Sequence, residues 1–117
     1  MTKRDTEIDR QLPLPPAVFH ILIALGEGER HGYAVMQDVA ERTGGKVRMS
    51  PGTLYGSIRK MLDEGLIEEL FRRGQTADDE RRRYYRATAL GRDVLEAETG
   101  RMAGLVSAAR AKRVRAR

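Results

Sequence analysis

The chain has no cysteine, no tryptophan and only two histidines among 117 residues. Without cysteine, disulfides, thiolate metal sites and thiol nucleophiles are excluded. Two histidines with no thiolate beside them are too few donors for a zinc site, so neither metal nor cofactor is expected. No run of about 18 apolar residues occurs, so no membrane span is expected. Met1 to Gln11 mixes charges of both signs and lacks the apolar stretch of a signal peptide, so a cytoplasmic location is expected. No phosphate loop, GxSxG or HExxH is present, and no enzyme is expected.

What the chain does have is charge. Charged residues make up 33% and hydrophobic residues 40%, against a usual charged share of about 25%. The mass of 13.2 kDa leaves room for one domain. The net charge is +5, but it is unevenly placed. From Arg101 onward there are six basic residues and no acidic one, so residues 1–100 carry a net charge of −1. The sequence pI of about 10.0 therefore comes from the tail. A case for nucleic-acid binding has to rest on local clusters in the body.

Punctuation divides the chain. Residues 1–13 are polar and read as a loosely ordered arm. Pro16 suits a first helical turn, and Ala17 to Leu25 is apolar nearly all round, as in a buried helix. A second helix spans about Gly32 to Thr43, with Tyr33, Met36, Val39 and Ala40 at helical spacing. Lys46 to Met49 reads as a short strand or an extended linker. Ser50 is a good N-cap and Pro51 a good first helical residue for a third helix, which Gly65 ends. Leu66 to Phe71 and Arg82 to Thr88 read as the strands of a hairpin around a polar loop. Thr88 caps a last helix from about Leu90 to Ala109.

Helix, helix, helix, hairpin, helix is the layout of a winged helix-turn-helix, an α+β fold that is mainly α, with a C-terminal dimerisation helix. In such a domain the third helix enters the DNA major groove. Leu54, Ile58, Met61 and Leu62 form its core face. Gly52, Thr53, Gly56, Arg59, Lys60 and Asp63 lie opposite. Two glycines let the backbone approach another surface, although each costs about 1 kcal/mol of helix propensity. Thr53 and Lys60 offer donors, Arg59 can reach phosphate or guanine, and Tyr55 on the flank can reach phosphate. The plainer alternative is a solvated face with two incidental glycines.

Four blocks resemble one family. They are His31-Gly32-Tyr33-Ala34-Val35-Met36, Ser50-Pro51-Gly52-Thr53-Leu54-Tyr55, Leu62-Asp63-Glu64-Gly65-Leu66-Ile67, and Arg82-Arg83-Tyr84-Tyr85-Arg86-Ala87-Thr88-Ala89-Leu90-Gly91. In this order and spacing they look like the PadR family of bacterial transcriptional regulators, in its short form with a single C-terminal helix. The resemblance covers about residues 14 to 106. It implies a homodimeric winged-helix repressor, with Ser50 to Glu64 as recognition helix, Leu66 to Thr88 as wing and Leu90 onward as dimerisation helix. It also implies release from DNA by a small-molecule effector, whose identity the sequence does not carry.

The expected organisation is an arm over 1–13, a DNA-binding domain over 14–88, a dimerisation helix over 89–109 and a basic tail over 110–117. The expected partners are double-stranded DNA and a second copy of the chain, with no membrane. The candidate DNA-binding residues are Ser50, Gly52, Thr53, Tyr55, Gly56, Arg59, Lys60, Arg82 and Arg83. The last two adjoin the wing, where the acidic triplet Asp78-Asp79-Glu80 neutralises Arg81 to Arg83 more readily than it holds a cation. In a strand, adjacent residues point to opposite faces. One of Arg82 and Arg83 should therefore contact DNA, and one of Tyr84 and Tyr85 should pack inward. The stripe Leu95, Met102, Leu105, Val106 and Ala109 is too apolar for water and is the candidate dimer seam, with Gly100 and Gly104 allowing a close crossing. His20 reads as a core or interface histidine and His31 as a packing or hydrogen-bonding one. Two other functions fit the same pattern: a winged-helix protein-interaction module, and an effector-free architectural DNA binder whose tail supplies non-specific affinity.

Overall fold

The computed structural model describes residues 1–70 and 83–115. Three helices build the centre. Helix α2 (Pro16–Ala24) buries Val18, Ile21, Leu22 and Ala24. Helix α3 (Gly32–Arg42) is capped by His31, whose Nδ1 accepts the Ala34 N–H at 3.0 Å. Its inner face is Val35 and Val39, one turn apart and fully buried. Tyr33, expected on that face, is 52% exposed. The stripe is rotated because two compact β-branched residues fill the core, while the phenol in the first turn tolerates water.

Helix α4 (Pro51–Asp63) starts where the Ser50 hydroxyl accepts the Thr53 N–H at 3.1 Å. It buries Leu54, Ile58 and Met61. At its end Gly65 takes a left-handed conformation with φ of 74°. The Leu66 N–H reaches the Met61 carbonyl at 2.9 Å and the Gly65 N–H reaches Leu62 at 3.1 Å, which closes the helix with a Schellman motif. Lys46 to Met49 is a linker with no strand pairing, turned back on Thr43 at its start.

The hairpin strands are β2 (Ile67–Leu70) and β3 (Tyr84–Ala87), paired antiparallel with Ile67 opposite Ala87. A third strand, β1 (Arg30–His31), joins β3 on its other side, giving the order β1-β3-β2. It was not expected, since two residues are too few to carry a period. Tyr85 is buried, while Tyr84 turns its ring edge-on to His31, with centroids 5.8 Å apart. The tyrosine alternation is as expected. Arg72, Arg73, Arg82 and the acidic triplet lie outside the described residues.

Two terminal segments differ from expectation. Residues 3–11 form a helix, α1 (Lys3–Gln11), rather than a loose arm. Thr2 and Asp5 make a reciprocal capping box. No residue of α1 is buried, but it packs along the last helix and joins it through Arg4 and Asp93 at 3.6 Å. That last helix, α5 (Ala89–Arg115), has 27 residues and takes in most of the segment read as a tail. Ala, Arg and Lys are strong helix formers, and beyond Gly104 no glycine or proline interrupts them. Thr88 caps it as expected, accepting the Gly91 N–H at 3.0 Å. The fold is mainly helical with a small antiparallel sheet, a winged helix-turn-helix carrying a long C-terminal helix.

Candidate nucleic-acid interface

Helix α4 has two chemically distinct sides. Its apolar side is anchored in the core. Gly52, Thr53, Gly56, Arg59 and Lys60 are all exposed on the other. A Cβ on Gly56 would meet nothing within 4 Å, and one on Gly52 only the Ser50 hydroxyl at 3.9 Å. Packing within the chain therefore does not require either glycine. Both keep the first turns of α4 low toward whatever approaches from outside. Ser50 is exposed, but its hydroxyl is engaged in the cap and donates to Thr53 Oγ1 at 3.1 Å.

Tyr55 is half-buried on the flank. Its ring covers the start of α3, where a Cβ on Gly32 would meet the phenol at 3.1 Å. The ring thus braces α4 against α3 from one side of the exposed face. On the same flank lies a groove of about 300 Å³ between α4 and the hairpin, lined by Tyr55, Arg59, Leu62, Glu69, Arg83 and Tyr85 among others. Arg83 stands at its edge, exposed, with Nε 3.2 Å from Glu69 Oε1 across the hairpin. Of the two candidate wing arginines it is the one that falls within the described residues.

Cations that the sequence reading passed over lie on the segment just before α4. Lys46 and Arg48 are exposed on the linker leading into α4, and Tyr33 is exposed at the start of α3. Lys46 and Arg48 were legible as basic residues next to the helix cap. Their exposure follows from the linker forming no strand.

The candidate dimer residues divide in two. Leu95 is half-buried and packs on the chain's own core. Met102, Leu105 and Val106 are 41%, 54% and 49% exposed, and Ala109 is exposed beside them. From Met102 to Arg113 every residue of α5 is exposed, so the outer half of the helix projects from the body. A Cβ on Gly100 or Gly104 would meet nothing of the rest of the chain within 4 Å.

The root of that projection holds the one buried charged residue among those described, which sequence reasoning also missed. Glu98 is 1% exposed. Its carboxylate accepts the Leu14 N–H at 2.8 Å and is bonded twice by the Arg101 guanidinium, through Nε and through Nη2 at 3.2 Å. The Arg101 hydrogen bonds hold the Glu98 carboxyl below the usual glutamate range; burial opposes this and the Leu14 N–H adds to it. His31 is occupied as a helix cap, and His20 lies half-buried on α2. Among the described residues no cluster could hold a metal ion, and no helix is long and apolar enough to cross a membrane.

Comparison with known proteins supplies the relationship. The transcriptional regulator PadR-like family matches residues 21–97, well over half of the chain. The transcriptional regulator Rv3488 of Mycobacterium tuberculosis is 38% identical over 76 residues, which is 65% of this chain and 65% of that protein. The chain thus spans just under two thirds of that relative. A PadR family regulator from Clostridium difficile shares the fold at a TM-score of 0.69 and 24% identity, over 80% of this chain and 94% of that one. The Bacillus subtilis PadR in complex with operator DNA matches at a TM-score of 0.57 and 25% identity, over 68% of this chain and 44% of that one. This chain belongs to the PadR-like family of transcriptional regulators, which are not enzymes.

Proposed function

We propose that the chain binds operator DNA as a dimer and regulates transcription, with α4 in the major groove and the hairpin beside it on the backbone. The observation that carries this reading is the outer face of α4. It pairs two glycines that the fold does not need with Thr53, Arg59 and Lys60, on a helix held rigidly from behind by Leu54, Ile58 and Met61. A relative of the same fold is known with operator DNA. Thr53 and the backbone of the first turns choose bases, while Arg59, Lys60, Tyr55 and Arg83 meet phosphates. Lys46 and Arg48, exposed just before α4, add positive charge near it.

Dimerisation uses the outer half of α5. A monomer leaves Met102, Leu105 and Val106 in water, and a second copy of the same stripe covers them. Two α4 helices then face successive major grooves, about 34 Å apart, on a pseudo-palindromic site. Repression follows from occupying that site. A small molecule that changes the relation between the two winged domains releases it. The basic residues at the end of α5 add non-specific attraction.

The test is a gel shift on DNA selected from a random library by the full chain, repeated across a salt series. Steep salt dependence, with selected DNA preferred at least about 10³-fold over bulk DNA, is the expected result. No selected sequence would leave a protein-interaction module. A small preference ratio would leave an architectural binder.

A further inference from the structure

We propose that Glu98 is a positioning residue that fixes the angle at which the outer half of α5 leaves the winged domain, and through it the half-site spacing that a dimer accepts. The second clause rests on the DNA-binding reading above, while the first stands on the protomer alone. Along α5, Gly91 and Val94 are buried, Glu98 is the last buried residue, and every residue from Met102 to Arg113 is exposed. Glu98 is therefore the outermost point at which α5 is held. The hold is directional, because one carboxylate oxygen takes the N–H of Leu14, which is 84 positions away in sequence and buried in the core just before α2. Arg101, one turn further out, grips both oxygens and sets the side chain's orientation. Arg4 and Asp93 tie α1 to the inner part of the same helix.

Geometry gives this tether its leverage. Val94 and Glu98 are about 6 Å apart along the axis, and the helix runs about 25 Å beyond Glu98 to Arg115. With Glu98 released, the outermost anchor falls back to Val94. Play of about 1 Å at the Glu98 level, pivoted on Val94, becomes about 5 Å at the far end. One base pair along DNA is about 3.4 Å. Slack of this size in each protomer blurs a spacing that a stiff pair would discriminate. An apolar residue would serve the core at position 98 without any aim. A carboxylate bonded to a named backbone N–H specifies both position and direction.

The chain's lack of cysteine makes the measurement clean. Asp63→Cys and Ala108→Cys place two spin labels on exposed positions, at the end of α4 and on outer α5. Labelled chain diluted in unlabelled chain then reports the distance within one protomer. The expected result is a narrow distribution in the parent and at least a doubled width in Glu98→Ala, with cooperative melting retained. Should Glu98→Ala fail to fold, Arg101→Met removes the grip on the carboxylate from a half-exposed position and should broaden the distribution as well. Unchanged widths in the variants that fold would overturn the proposal, whatever the DNA does. The second arm uses the library-selected duplex and derivatives with one or two base pairs inserted between half-sites. The parent should lose at least about tenfold in affinity per inserted pair, and Glu98→Ala should flatten the series to within threefold. A broadened distribution with undiminished spacing discrimination would sever the link to DNA. Failure to select any duplex would sink the DNA-binding reading and leave the distance result standing.

Discussion

Gly91 lies so close to Leu66 that a Cβ placed on it would sit 1.9 Å from the Leu66 carbonyl oxygen. Glycine is what allows the first turn of α5 to rest directly on the chain entering β2. Gly91→Ala gains about 1 kcal/mol of helix propensity, but the clash is with backbone that cannot rotate away. Net destabilisation of about 2 kcal/mol or more is expected in urea unfolding. Gly100→Ala is the control. It sits in the same helix with nothing within 4 Å, and it should stabilise by about 0.5–1 kcal/mol. Loss of the dimer in Gly100→Ala would place that glycine in the seam.

The two ends of the α4 face should behave differently. Thr53→Ala is expected to relax sequence preference with little effect on bulk DNA binding. Lys60→Ala should weaken all duplexes alike and lower the salt slope by about one unit. Both are measured by fluorescence anisotropy across a salt series. If neither variant changes anything, α4 is not the binding helix.

Leu105→Glu puts a carboxylate on the apolar stripe of both copies at once. In a monomer the residue is already 54% exposed, so the protomer should keep its fold and melting behaviour. In a dimer an unpaired buried carboxylate costs several kcal/mol. Sedimentation should therefore show a monomer, with operator affinity falling by at least two orders of magnitude. A variant that remains dimeric would move the interface elsewhere.

Acid should act through Glu98. Its folded-state pKa is lowered, first by the Arg101 hydrogen bonds, so protonation favours the unfolded chain. The stabilisation is complete above the unfolded value of about 4.3 and is lost as pH falls through the lower folded value. Urea unfolding of the parent and of Glu98→Gln between pH 7 and pH 3 should give curves that begin to converge as the pH falls below about 4.3. Parallel curves across that range would count against this account.

The parts legible in the sequence are those whose cause is local. Ser50, Pro51, Gly65 and Thr88 punctuate helices through bonds to residues a few positions away, and each acts where expected. The side-chain alternation of Tyr84 and Tyr85 is equally local. Thr2 and Asp5 are local too, yet the polar character of Lys3 to Gln11 outweighed their capping pattern in the reading. Strand β1 exists only because β3 arrives beside it from more than 50 residues away. In the sequence Glu98 is one more charge on a charged helix, and only its contact with Leu14 makes it a core residue. For the candidate site, the exposed face of α4 could be read from its period. Arg83 could be placed only by a strand partner, and the freedom of outer α5 only by knowing where the body ends.

The sheet order has a consequence for aggregation. Among the described strands the long open edge belongs to β2, and its two central residues are Glu68 and Glu69. Within the chain both are answered, Glu68 by Arg86 on β3 and Glu69 by Arg83 just before it. A second copy adding edge to edge would set Glu68 against Glu69 of the other strand, and like charges directly opposite disfavour pairing. The hairpin therefore repels its own kind along the edge where strands usually stick. The apolar stripe of Met102, Leu105 and Val106 lies on a helix instead, and in the pairing proposed above growth there stops at a closed dimer and does not run on into a fibre.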